Sequence, residues 1–158
     1  MKRVFVILGV ILIGLSVQAQ AVKKANEGSS ITKVYAGNSQ TKCYFTINGI
    51  KIYEGNAQSK CLYNFANGKF YEGSDQSKCG FTIRGGKIYE GSTAKCLFSI
   101  VNGRVFEGSS MSKCVFNIHG NKLYKDADMS ACVANVRGDF NDDFWPIMIA
   151  VLGSRNLL

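Results

Sequence analysis

Six cysteines, Cys43, Cys61, Cys79, Cys96, Cys114 and Cys132, recur at intervals of 17 or 18 residues. Three chemistries fit such a series. In a protein that leaves the cytoplasm an even number of cysteines invites disulfides, and six allow fifteen pairings. A ring of thiolates can hold a soft metal such as Zn²⁺ or Cu(I), although the chain has neither a C-x-x-C motif nor paired Cys/His spacing. A free thiol is also a small apolar side chain, among the most buried of all residue types. Disulfide staple, buried thiol and metal ligand all remain open at this level.

A second series runs beside the first. Lys51, Lys69, Lys87 and Arg104 each precede one apolar residue and then an aromatic, Tyr53, Tyr71, Tyr89 and Phe106. Lys33 with Tyr35 and Lys122 with Tyr124 extend it to six. On a strand, residues two apart share a face. The cation and the ring can then present a basic, aromatic surface that stacks on sugar rings while meeting an anion, or a Lys stem can simply cover a half-buried Tyr.

Catalysis has little to stand on. His119 is the single His, and Glu54, Glu72, Glu90 and Glu107 are copies of one position, read as structural carboxylates near a Lys of the adjacent strand. An active site needs unlike groups with differently tuned pKa values. Neither an enzyme nor a cofactor is expected.

Both series belong to one repeat. The chain reads KVYAGNSQTKCYFTI, KIYEGNAQSKCLYNF, KFYEGSDQSKCGFTI, KIYEGSTAKCLFSI, RVFEGSSMSKCVFNI and KLYKDADMSACVANV, six units over 33–136. So short a period sets the fold before any local propensity does. Within a unit the large apolar residues alternate, as in Cys61-Leu62-Tyr63-Asn64-Phe65, which predicts a half-buried strand. Asn67-Gly68 then gives the strongest short hairpin signal, repeated at Asn48-Gly49 and Asn102-Gly103 and matched by Gly85-Gly86 and Gly120-Asn121. Pairing about Asn67-Gly68 sets Phe65 against Phe70 and Asn64 against Tyr71. One face then carries Cys61, Tyr63, Phe65 and Phe70, and the other Leu62, Asn64, Lys69 and Tyr71.

The predicted fold is all-β, a ring of five hairpins on Cys43, Cys61, Cys79, Cys96 and Cys114, closed by pairing of the first strand with the last. The alternative is a β-solenoid with one unit per coil. In the ring, equivalent cysteines lie two strands apart, ~9.5 Å, beyond the ~4.4 to 6.8 Å Cα reach of a disulfide. In the solenoid they fall within it.

The motif Gly68-Lys69-Phe70-Tyr71-Glu72-Gly73, followed by a polar loop, an apolar strand and an Asn-Gly turn, resembles the five-fold beta-flower proteins, small exported bacterial proteins of undetermined function. The resemblance covers residues 33 to about 152. It implies hairpin petals arranged radially around an axis, and it brings no catalytic residue with it.

The two ends complete the reading. Lys2 and Arg3, an apolar run from Val4 to Leu15 and small residues up to Ala19 predict an export signal, residues 1–19. A flexible linker is expected over 20–32, the repeats over 33–136 and a C-terminal segment over 137–158. Without Lys2 and Arg3 the chain keeps seventeen basic against eleven acidic residues, a net charge of +6. In the last segment Asp142 or Asp143 is expected to cap a short apolar helix, with Pro146 in its first turn, Gly153 at its C-cap and Trp145 plugging one end of the petals. Asp139, Asp142 and Asp143 could otherwise hold a hard cation, and Arg137-Gly138-Asp139 spells an integrin-type tripeptide at a turn position.

These features predict a non-enzymatic exported protein, periplasmic or extracellular, with no membrane span once the signal is removed. It serves as a structural or binding module for an anionic glycan or an envelope protein, and nucleic acid is not expected as a partner outside the cytoplasm. A cysteine-based metal or redox protein is the alternative.

Overall fold

The structure is a computed structural model that describes residues 31–126 and 129–158. The expected export signal and residues 20–30 of the expected linker lie outside the described residues. Twelve strands follow one another. After β1 (Ile31–Ala36), β2 (Cys43–Asn48) pairs with β3 (Lys51–Glu54), β4 (Cys61–Ala66) with β5 (Lys69–Glu72), and β6 (Cys79–Arg84) with β7 (Lys87–Glu90). β8 (Cys96–Val101) pairs with β9 (Arg104–Glu107) and β10 (Cys114–His119) with β11 (Lys122–Lys125), leaving β12 (Ala131–Arg137).

The turns follow from residues that accept positive φ. Asn67 and Gly68 sit at φ 52° and 75°, Asn102 and Gly103 at 50° and 74°, the mirror-image turn whose twist matches the flanking strands. In the first hairpin the turn falls one residue later than the Asn-Gly signal predicts. Asn48 pairs with Lys51, so the turn is Gly49-Ile50, and the Asn48 side chain donates to Gln58 Oε1 at 2.8 Å instead.

Phe65 opposes Phe70 and Asn64 opposes Tyr71, the expected register. β1 pairs with β12, Val34 opposite Val136 and Tyr35 opposite Asn135, and the sheet closes into a twelve-stranded antiparallel barrel. Closure leaves no edge to template aggregation, and antiparallel neighbours throughout replace the solenoid alternative. The petals number six, not five. The pair β12 and β1 is the sixth, built from the two chain ends, and because it has no turn of its own a count of hairpin turns misses it. β1 also starts at Ile31, inside the expected linker, because Thr32 is buried and its hydroxyl donates to the Asp139 carbonyl at 2.6 Å.

A barrel of eight strands can be filled by its own side chains, and a wider one needs something more. Here the residue between each Lys or Arg and its aromatic points inward: Val34, Ile52, Phe70, Ile88, Val105 and Leu123 are all 2% exposed or less. Each contributes about 1.5 to 3 kcal/mol by full burial. The remaining lumen is taken by α1 (Trp145–Ser154), of which Trp145 to Leu152 are all buried. Its first turn lies among Ile47, Ile50, Phe65 and Phe70 at the hairpin-turn end. Beyond its last turn Arg155 reaches Glu54 at the opposite, loop end. The apolar segment is thus a plug threaded along the barrel, and burial on every side explains why it carries no polar face.

The plug is capped differently from the expectation. Asn141, not Asp142 or Asp143, accepts from the Asp143 N–H at 3.1 Å, opening a 3₁₀ turn (Asp142–Phe144) that leads into α1. Gly153 lies inside the helix rather than at its C-cap, where a Cβ would come within 2.9 Å of the Phe98 ring. The helix stops with Asn156 at φ 52°, its N–H bonded to Gly153 O and that of Leu157 to Leu152 O. This is a Schellman closure with Asn in the left-handed position.

One departure reshapes the outer wall. Between petals every pairing slips by one residue: Tyr63 opposes Ile52, yet Cys61 opposes Tyr53, leaving Leu62 extra. The bulge turns Leu62 into the core and moves Cys61 to the opposite face from Tyr63, Phe65 and Phe70, correcting the alternation reading. The same slip recurs at Val34/Tyr35, Phe70/Tyr71, Ile88/Tyr89, Cys114/Phe116 and Leu123/Tyr124.

Candidate functional site

The bulge gathers both chemical series on the outside of the barrel. Each petal wall carries a cation, an aromatic two residues on, a cysteine opposite that aromatic, and a small polar residue opposite the cation. That last column, Thr46, Asn64, Thr82, Ser99, Asn117 and Asn135, was not singled out in the sequence, although its polarity within an apolar strand is the signal that marks it. Each of the six donates to the carbonyl that follows the neighbouring return strand, for instance Thr46 to Gly55 O at 2.6 Å and Asn64 to Gly73 O at 3.0 Å. Across the closure Asn135 donates to Gly37 O at 2.7 Å. Buried polar groups require such partners, so this column locks each loop to its petal.

The six cysteines are free thiols, each half-buried. Every one donates to the carbonyl two residues ahead, at 3.3 to 3.8 Å. Cys43, Cys79 and Cys96 also lie within 3.9 Å of the hydroxyls of Thr46, Thr82 and Ser99. The six stand one to a petal on the wall rather than in the lumen. Burial pushes the Cys43, Cys61 and Cys132 thiols above the ordinary cysteine value, partly offset at Cys61 by Lys51 and at Cys132 by Lys122. Among the described residues no three of His, Cys, Asp and Glu converge to hold a metal ion. His119 is exposed at the far end of β10 from Cys114.

Of the predicted binding residues, Lys51 and Arg104 are exposed, while Tyr53, Lys69, Tyr71, Lys87 and Tyr89 are half-buried. Phe106 is buried and drops out of the accessible surface; it has no hydroxyl to keep in water. Lys69 Nζ donates to Ser92 Oγ at 3.1 Å, and the Arg84 guanidinium stacks over Tyr89 at 4.3 Å from the ring centroid. The residue between each cation and its ring is buried, so the two lie on the outer face together.

The repeated carboxylates are structural. Glu54 pairs with Lys60 at 2.7 Å, Glu72 with Lys78 at 2.9 Å, Glu90 with Lys95 at 2.8 Å, and Glu107 with Lys113. Each Lys ends the loop that the Glu begins. Two clefts open at this end beside the plug, one of about 230 Å³ bounded by Lys42, Cys43, Glu54 and Arg155, the other of about 410 Å³ along Leu97, Phe98, Val115 and Phe116.

Residues 34–152 match the family model described as 6-fold beta flower protein. No curated protein and no solved structure matches the chain.

Proposed function

The chain belongs to the 6-fold beta flower family, and from that premise we propose that it is a non-enzymatic, exported binding module that holds an anionic glycan on its outer wall. The motif resembles the five-fold form, and the split petal accounts for the difference. One observation carries the reading: a cation and an aromatic ring, two residues apart and flanking a buried apolar residue, recur on the outer face of successive petals. A sugar ring stacks on the aromatic while the cation meets a carboxylate or sulfate. The apolar run and basic start of residues 1–19 support export. No helix among the described residues is long and apolar enough to cross a membrane, and strands of four to seven residues fall short of the ~9 to 11 that a spanning strand needs. The cysteine-based alternative has less support, since the six thiols are spread one to a petal and each already donates to a carbonyl.

The test is retention of residues 20–158 on immobilised dextran sulfate and on unsulfated dextran. The reading expects selective retention on the sulfated matrix, weakened by salt and reduced in a Lys69→Ala/Tyr71→Ala variant. Equal retention on both matrices, or none, overturns it.

A further inference from the structure

The net charge of the barrel lies almost wholly at one end. Lys51, Lys69, Lys87, Arg104 and Lys122 sit next to the hairpin turns, Lys33 holds the equivalent place on the split petal, and Arg84 and Arg137 join them. Only Asp139, Asp142 and Asp143 oppose these eight, leaving an excess of five positive charges. At the loop end seven cations meet six described carboxylates, and four of those are latched to lysines. At the turn end like charges even face each other across strands, Lys33 opposite Arg137 and Arg84 opposite Lys87. Such pairs are destabilising unless an anion screens them.

The same end exposes aliphatic side chains. Ile31, Ile50 and Val101 are 37%, 40% and 38% exposed; Ile50 lies in a turn, Val101 borders one, and Ile31 opposes Asn48 beside the first. Met111, Met129 and Leu158 are exposed at the loop end, but an excess of only one positive charge accompanies them.

We infer that the hairpin-turn end of the barrel docks on an anionic phospholipid bilayer, its cations meeting the headgroup phosphates and Ile31, Ile50 and Val101 entering the interface. A basic collar around aliphatic tips is the chemistry of interfacial binding. A soluble glycan needs the collar and has no use for the tips. A second copy of the same end is repelled by its charge. The inference goes beyond the glycan reading, since it adds side chains which that reading leaves idle.

The test is co-sedimentation of residues 20–158 with phosphatidylcholine vesicles, with and without phosphatidylglycerol. Binding is expected only with phosphatidylglycerol and falls as salt rises. An Ile50→Ser/Val101→Ser variant is expected to lose roughly tenfold in vesicle affinity, the scale of two partly buried aliphatic side chains, while its retention on dextran sulfate is unchanged. Blue emission from Trp145, the single tryptophan, reports that the plug and barrel are intact in the variant. Vesicle binding equal to the parent's, or none by the parent, overturns docking and leaves the glycan reading standing. Loss of both vesicle and dextran sulfate binding in the parent overturns both.

Discussion

A Cβ on Gly80 would lie 2.6 Å from Cε1 of Tyr63. Gly80 holds the bulge position that Tyr44, Leu62, Leu97, Val115 and Val133 fill in the other repeats. Its missing side chain leaves room for the Tyr63 ring, which packs edge-on to Phe81 and donates its hydroxyl to Ser154 Oγ at 2.9 Å. A wall residue of one petal therefore fixes the end of the plug through its neighbour. Gly80→Leu, which restores the side chain found at other bulges, is expected to destabilise by about 1 to 3 kcal/mol through overpacking. Tyr63→Ala removes the obstacle, so a double-mutant cycle by denaturant unfolding should couple the two sites by more than about 0.5 kcal/mol. Simple additivity would contradict the contact.

The thiols give a pH prediction. Cys43, Cys61 and Cys132 have pKa values raised by burial. The folded state therefore keeps its thiol protons longer than the unfolded chain. The stability this contributes is complete below the unfolded value and is lost as pH rises through the folded one. Unfolding followed from about pH 7 to about pH 10 should show a loss that shrinks in Cys43→Ser. Alkylation at these three positions should also run slower in the native protein than in denaturant, because the thiolate is the reactive form. In denaturant all six thiols should react; a mass deficit from disulfides would contradict the wall geometry.

The opposite sign applies at Glu54. A hydrogen bond from Lys60, followed by the charges of Lys60 and Arg155, holds its carboxylate below the usual range. Its contribution is present above the unfolded carboxylate value and disappears as pH falls through the folded one. Among the described latches it alone also ties down the plug, through Arg155. Glu54→Gln should therefore differ from the parent at about pH 6 and converge with it toward about pH 3. Because the ion pair is open to solvent, the difference should be small and vanish in high salt. A difference that persists at low pH would assign Glu54 another role.

The hairpins, the barrel closure and the buried plug were legible because each follows from local rules: two-residue turns, complementary end strands, and an apolar helix too uniform for the surface. The bulge was not. Nothing in Cys61-Leu62 breaks the alternation, and the slip arises only where one petal must pair with the next and bend the wall. That single displacement misplaced the cysteines, and with them the chemistry open to them. The hydroxyl and amide column was missed for a related reason, since its partners are loop carbonyls nine residues on or, for Asn135, across the closure. The plug's caps went astray because Asp142 and Asp143 satisfy the same pattern as Asn141, and only the backbone path selects among them.

The polar column should prove costly to remove. Asn64 is 5% exposed and its amide donates to both Gly73 O and Asp75 O, at 3.0 and 2.7 Å. Asn64→Leu removes both hydrogen bonds from a buried amide to the loop carbonyls and should cost about 1 to 3 kcal/mol. Thr46→Val, which removes one bond and keeps the shape, should cost about 1 kcal/mol. If these bonds lock the loops, amide exchange in residues 73–78 should accelerate in Asn64→Leu while the strands stay protected. Uniform acceleration across the barrel would instead mean that the column supports the global fold alone.

The helix end separates backbone from side-chain effects. Asn156 sits at φ 52°, a conformation that Gly adopts freely, Asn tolerates and β-branched residues resist. Asn156→Gly should leave stability nearly unchanged, whereas Asn156→Val should cost about 1 to 3 kcal/mol from the strained conformation. Leu157, which the turn directs back against the core, would lose its seat in the Val variant, and with it the N–H bond to Leu152 O at 2.9 Å. Arg155 is the residue between the helix and Asn156, so its pair with Glu54 should weaken in the same variant. Coupling between Asn156→Val and Glu54→Gln in an unfolding cycle, with none between Asn156→Val and Glu72→Gln, would show that the left-handed residue positions the arginine as well as ending the helix. Equal coupling to both glutamates would remove that role.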